Sequence, residues 1–140
     1  SILSGIRTTD PGDTKKYGYV GGRDVGDGVI EIDQFIEKPG PDKAPSNLAV
    51  VSGFLFTPDI FEALERAIPE TIDRGNELYY VDGVNNLMKD GKKVHAIEVK
   101  NSKYYDCGSK VGYLKTVVDY GLKHEDVREE FSDYLKKLDL

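Results

Sequence analysis

The chemistry this sequence could support is concentrated in a few side chains. Glu37-Lys38-Pro39 puts a carboxylate next to an ammonium group, immediately ahead of a proline. Adjacent strand residues point to opposite faces, and a proline keeps the residue before it extended. Both charges are therefore expected to stand rigidly at a strand end. Taken alone, the motif is more simply a solvated pair of charges before a turn. Asp106 lies just ahead of Ser109-Lys110, where a helix is expected to open, and a carboxylate there complements the helix dipole. His95 and His124 are the only histidines and Cys107 the only cysteine, so no ligand set has the spacing of a zinc site. His95 is placed on a strand face and His124 near a helix C-terminus, where the dipole favours an imidazolium. No Gly-x-Ser-x-Gly elbow occurs, and Cys107 beside Gly108 is an isolated thiol. Phosphate-cradling Gly-x-Gly-x-x-Gly and Walker patterns are missing as well. Gly21-Gly22 and Gly26-x-Gly28 read as turn glycines.

Those side chains need elements to hold them. Residues 1–9 alternate loosely, which predicts a short strand ended by Asp10-Pro11-Gly12-Asp13. A second short strand is expected over residues 17–20, closed by Gly21-Gly22. From Val29 to Glu37, Ile30, Ile32 and Ile36 share one face at period two, and Asp27-Gly28 joins this half-buried strand to its predecessor as a hairpin. Pro39, Gly40, Pro41 and Pro45 mark a loop. Leu48 to Phe56 is almost wholly apolar, which predicts a central strand covered on both faces. Thr57-Pro58 then supplies an N-cap and first position for a helix with Ile60, Phe61, Leu64 and Ile68 at helical spacing before Pro69. A second helix over about residues 78–89 is expected to bury Val81, Val84, Leu87 and Met88 and to end at Gly91.

Residues 94–99 alternate as a further strand, and a long helix follows Gly108 with Val111, Leu114, Val117, Val118 and Leu122 along one face. Asp126 with Glu129 resembles a capping box for a last helix, striped by Val127, Phe131, Tyr134, Leu135 and Leu138. The alternation of strands and helices makes the fold class α/β.

At 140 residues the chain suits a single domain, 1–140, with a core that needs no disulfide or metal. Its 39% hydrophobic and 31% charged residues exclude a disordered chain. With 19 basic against 25 acidic side chains the net charge is −6, which would repel a phosphate backbone and argues against nucleic-acid binding. The lone cysteine rules out an intrachain disulfide and favours a reducing, cytoplasmic compartment. No apolar run approaches the roughly 20 residues of a membrane span, and Ser1-Ile2-Leu3-Ser4 begins no signal peptide. A start without methionine is what a mature or excised piece would show.

Four segments in order are more specific than any one of them. They are Tyr17-Gly18-Tyr19-Val20, then Ile36-Glu37-Lys38-Pro39, then residues 44–51 (Ala-Pro-Ser-Asn-Leu-Ala-Val-Val), then residues 105–113 (Tyr-Asp-Cys-Gly-Ser-Lys-Val-Gly-Tyr). Together with Asn76-Glu77-Leu78 and Val118-Asp119-Tyr120-Gly121, this order resembles the C-terminal half of the bacterial UTP-glucose-1-phosphate uridylyltransferases, within the sugar nucleotidyltransferases.

The resemblance implies the C-terminal part of a Rossmann-like nucleotidyltransferase fold, a mixed β-sheet flanked by helices with two helices at the C-terminus. It implies that Gly18 lets the backbone approach a hexose, that Glu37 accepts hydrogen bonds from sugar hydroxyls, and that Lys38 contacts the sugar phosphate. Asp106 matches an aspartate near metal and phosphates, where hard oxygen ligands suit Mg²⁺. The implied reaction joins UTP and glucose 1-phosphate into UDP-glucose and pyrophosphate, with Lys38 as the catalytic cation.

Two departures stand out. Ser52-Gly53-Phe54 occupies the place where the family commonly has Gly-Arg-Tyr, and the family's Gly-rich triphosphate-binding segment and first-half aspartate have no counterpart here. The chain is thus expected to supply the sugar-phosphate side and part of the Mg²⁺ site, and not to turn over alone. A non-catalytic sugar-nucleotide-binding or assembly module, or a nucleotidyltransferase of different base specificity, would share these motifs. Strand edges left open by a missing half predict a homo-oligomer.

Overall fold

The computed structural model describes residues 1–73, 75 and 77–138. It divides into two compact units, residues 1–101 and the segment from Ser102 onward. Asn76, quoted above ahead of the second helix, lies outside the described residues.

The first unit contains β1 (Ile2–Arg7), a 3₁₀ turn (Pro11–Lys15), β2 (Gly18–Gly26), β3 (Val29–Glu37), β4 (Leu48–Leu55), α1 (Asp59–Asp73), α2 (Tyr80–Lys89) and β5 (His95–Glu98). The strands form a closed ring in the order β1-β4-β2-β3-β5, with β5 returning to β1. The β1–β5 pair is parallel and the other four are antiparallel, so the sheet is mixed. Each strand has a partner on either side over part of its length, but β2 and β4 pair only over Gly18–Val20 and Leu48–Val50, so both strands run on beyond those residues without each other.

The ring closes because the β2–β3 hairpin is long and bent. Near its base β2 pairs with β4 over Gly18–Val20, while near its tip β3 pairs with β5 over Val29–Glu31. This corrects two expectations. β2 does not stop at Gly21-Gly22 but runs through them to Gly26, and the register shifts there because Gly21 opposes Gln34 while Gly22 opposes Ile32. Asp33 is the extra residue of a β-bulge, which bends the strand and reverses side-chain parity beyond it. Ile36 therefore does not share the face of Ile30 and Ile32, and Phe35, only 3% exposed, enters the core in its place. Gly22 is required at the bend: a Cβ there would run into the Glu31 carbonyl and the Ile32 Cα. The expected turn at the other end is present, with Asp27 and Gly28 at φ 56° and 81°.

β4 lies between β1 and β2, but in a closed ring no strand is central, and β4 is not covered along its length. Leu48, Ala49 and Val50 are buried, whereas Leu55 is 69% exposed, because β2 accompanies β4 no further than Val50. The core joins Leu48 and Val50 to Leu3, Val20, Ile32, Phe35 and Ala96 of the ring, to Val94 just ahead of β5, to Ile60 and Ala63 of α1, and to Val81, Val84 and Leu87 of α2. α1 continues through Pro69 to Asp73, and its buried stripe is Ile60, Ala63, Ala67 and Thr71; Phe61 and Ile68 are exposed. Small residues turn inward because α2 lies close: a Cβ on Gly83 would sit 2.7 Å from Leu64.

The second unit holds α3 (Lys110–Lys123) and α4 (Arg128–Lys136). Neither helix has a buried residue, so the expected apolar stripes are not core. Ser109 caps α3 by accepting the Gly112 N–H at 2.9 Å. The expected capping box of α4 is absent: Val127 is its N-cap, and Asp126 lies 3.9 Å from His124 instead. No helix among the described residues is long and apolar enough to cross a membrane.

Candidate functional site

Gly18 and Glu37 face each other as cross-strand partners at the base of the β2–β3 hairpin. A Cβ on Gly18 would stand 2.7 Å from the Phe35 ring and 2.9 Å from Glu37 Oε2. Glycine is thus what lets the carboxylate lie across β2, with the buried Phe35 ring beside it. Phe35 is braced in turn: its carbonyl accepts the Asn85 side-chain amide at 3.1 Å, and its ring meets Tyr80 with centroids 5.7 Å apart.

Lys38 corrects the sequence reading. It is not extended but lies in the left-handed region at φ 45°, an uncommon conformation for a residue with a Cβ. Its backbone N–H donates to the Tyr17 carbonyl at 3.2 Å, which closes the strand end and turns the chain into Pro39. As a result the two charges do not point apart, and Lys38 Nζ sits 3.6 Å from Glu37 Oε1. The Glu37 side chain is 22% exposed and that of Lys38 48%, so both are accessible to a small ligand.

Tyr79, which the sequence reading passes over, completes this corner. Lys38 Nζ lies over its ring, 5.5 Å from the centroid. The Tyr79 hydroxyl donates to Glu77 Oε2 at 3.1 Å, and that bond holds the phenol above its ordinary pKa, against the pull of the Lys38 charge. Tyr79 precedes α2, and its backbone N–H donates to Asp82 Oδ2 at 3.1 Å. No local pattern in the sequence links Tyr79 to Lys38.

The Pro45-Ser46-Asn47 segment is structural bracing. The Ser46 hydroxyl donates to the Val20 carbonyl at 2.6 Å and accepts the Leu48 N–H at 2.9 Å, while Asn47 Oδ1 accepts Arg7 Nη1 at 2.6 Å. These bonds fix the entry of β4 against β1 and β2. Ser52-Gly53-Phe54 forms an irregular stretch of β4: Gly53 has φ 81°, the register against β1 shifts here, and the Phe54 ring meets Tyr80 at 4.6 Å.

Gly18, Glu37 and Lys38 come together in the first unit; Asp106 belongs to the second. Asp106 Oδ1 accepts the Gly108 N–H at 3.0 Å in the turn ahead of the Ser109 cap. Burial, then the nearby Asp106 charge, pushes the Tyr104 phenol up. No group of three His, Cys, Asp or Glu side chains among the described residues could hold a metal ion. His95 lies 3.8 Å from Glu31, and Cys107 is exposed with its thiol 3.8 Å from Thr116.

The first unit is thus a closed mixed sheet with two helices, carrying a glycine-seated carboxylate and a turned lysine at one strand end. The chain belongs to the nucleotidyl transferase family, whose profile matches residues 2–121. It is 41% identical over 123 residues to a UTP–glucose-1-phosphate uridylyltransferase of Streptococcus pneumoniae serotype 4, across 87% of this chain and 40% of that protein. UTP–glucose-1-phosphate uridylyltransferase 1 of Streptococcus pyogenes serotype M3 is likewise 41% identical over 128 residues, again across 40% of its length. Among solved structures, a UDP-glucose pyrophosphorylase complexed with UDP-glucose superposes with a TM-score of 0.78 at 36% identity, across 88% of this chain and 44% of that one. The UTP-bound UGPase from Acinetobacter baumannii gives 0.80 at 28% identity, across 99% and 45%. The fold is thus α/β and nucleotidyltransferase-like, and the chain spans about two-fifths of the length of the relatives it matches.

Proposed function

We propose that this chain forms the sugar-phosphate side of a cytoplasmic UTP-glucose-1-phosphate uridylyltransferase, corresponding to the C-terminal portion of the enzyme. One observation carries the reading: Glu37 lies against Gly18 and 3.6 Å from Lys38 Nζ, so an acceptor for hydroxyls and a cation for a phosphate stand side by side. Glucose 1-phosphate presents that pair of groups.

The reaction is attack by the phosphate of glucose 1-phosphate on the α-phosphorus of UTP, with pyrophosphate leaving and UDP-glucose forming. The nucleophile is already an anion, so no general base is needed, and the barrier lies in bringing polyanions together in line. Glu37 orients the sugar ring through its hydroxyls, Gly18 gives the ring room against β2, and Lys38 holds the phosphate and offsets its charge. Asp106 would supply a hard carboxylate oxygen to Mg²⁺, which would offset the charge of the phosphates.

Calorimetric titration of the chain with glucose 1-phosphate tests the assignment. Lys38→Ala is expected to weaken binding by about 1.5–3 kcal/mol, the worth of a charged hydrogen bond, and Glu37→Gln to weaken glucose 1-phosphate and UDP-glucose alike. Unchanged affinity in both variants would remove the site from this corner.

A further inference from the structure

Lys38 is an exposed, four-carbon side chain, and such a lysine normally samples many rotamers, which is a poor way to hold a phosphate. Here its ammonium group has two fixed neighbours. One is the Glu37 carboxylate at 3.6 Å, and the other is the Tyr79 ring, 5.5 Å from Nζ to centroid and within the range of a cation–π attraction. We propose that Tyr79 is a positioning residue for Lys38, its ring holding the ammonium group at the sugar-phosphate corner while Glu77 and Asp82 hold the ring.

The support for the ring is built on both its ends. The hydroxyl donates to Glu77 Oε2 at 3.1 Å, and the backbone N–H donates to Asp82 Oδ2 at 3.1 Å at the start of α2. A phenol whose proton is shared with a carboxylate carries more electron density on its ring face, which strengthens its attraction for a cation. The left-handed φ of Lys38 is the other half of the device: it turns the lysine away from an extended course, back to where Glu37 and Tyr79 meet it. Glu37 alone would hold the cation by charge, and that hold weakens whenever Glu37 turns to sugar hydroxyls. The aromatic face gives a second hold that does not compete for the hydroxyls.

The proposal rests on Lys38 contacting a phosphate, so its test separates the two claims. In the whole chain, the Lys38 ε-methylene protons are expected upfield of their usual NMR shift because of the Tyr79 ring current. That displacement should be lost in Tyr79→Leu and kept in Tyr79→Phe. Tyr79→Leu is expected to weaken glucose 1-phosphate binding by about two- to fivefold, the range of an exposed cation–π contact, and Tyr79→Phe and Glu77→Gln by less. In a Lys38→Ala background Tyr79→Leu should have no further effect. An ordinary ε-methylene shift in the wild-type chain, or an equal loss from Tyr79→Leu with and without Lys38, overturns the positioning role. Normal binding by Lys38→Ala would instead overturn the phosphate role on which it rests.

Discussion

Residues 1–101 and the segment from Ser102 onward are held together by different forces. The first unit places large side chains fully out of water, among them Tyr19, Leu3, Leu48 and Leu87. The second buries nothing in α3 or α4 and relies on polar and aromatic contacts. Tyr105 is its hub: its hydroxyl donates to Asp119 at 2.9 Å, its ring meets Tyr120 at 5.4 Å, and Lys123 lies over both rings. Lys103 pairs with the same Asp119 carboxylate. Glu37 and Lys38 thus stand on a strand end with a hydrophobic core behind it, whereas Asp106 stands in a turn whose support is a cap and a set of charges. The strand end at the first place is held by packing, which salt and pH leave alone, and only the Lys38 ammonium group there rests on electrostatic contacts, with Glu37 and Tyr79. At the second, rigidity comes from groups that titrate and are screened.

The largest separation should come from side-chain truncation. Phe35→Ala removes a ring that is 3% exposed, and a loss of about 3–5 kcal/mol in urea denaturation is expected. Leu114→Ala, at a residue 61% exposed, should stay within about 0.5 kcal/mol. Equal costs would erase the contrast between the units. Next in size, Gly18→Ala forces a Cβ against Phe35 and Glu37, so a loss of about 1–3 kcal/mol is expected together with a displaced carboxylate. A neutral Gly18→Ala that binds glucose 1-phosphate normally would show that the close approach is dispensable.

A smaller effect belongs to the second unit. Ser109→Ala should cost about 1 kcal/mol, read as faster hydrogen exchange at the Gly112 amide. The last prediction concerns pH. Hydrogen bonds from Lys103 and then Tyr105 hold Asp119 below the ordinary aspartate pKa. A depressed folded-state pKa contributes stability that is present above the unfolded aspartate value and is lost as pH falls through the depressed one. Acidification below the ordinary aspartate range should therefore release Tyr105 and Tyr120, seen in their ring NMR shifts, before the first unit unfolds. Asp119→Asn should remove that acid transition.

The fold was largely legible from periodicity, and the misses have definable causes. β3 was bounded correctly from Val29 to Glu37 because its ends are set by turn residues, but a period-two count has no means of sensing the bulge at Asp33 that exchanges Ile36 for Phe35. Burial of β4 failed for a tertiary reason: its neighbour β2 departs after Val50. α1 was ended too early because a proline breaks helices on average, while here Pro69 is on the exposed face and Ala67 and Thr71 anchor the turns around it. At the site, the pairing of Gly18 with Glu37 matches the register that the turn at Asp27-Gly28 implies only because two register shifts, one between Asp24 and Gly26 and one between Gly21 and Gly22, cancel, and neither is visible in the sequence. The left-handed Lys38 did not, since the rule for residues before proline points the other way and a tertiary bond to Tyr17 prevails. Tyr79 was invisible because nothing local links it to residue 38.

If glucose 1-phosphate is held at the base of the β2–β3 hairpin, the residues of that corner must respond to it. Titrating isotopically labelled chain with it and following the backbone amide signals tests this most directly. Shifts concentrated at Gly18, Glu37, Lys38 and Tyr79, lost together in Lys38→Ala, are the predicted result. Saturable shifts confined to other surfaces, or none at millimolar ligand, would contradict it.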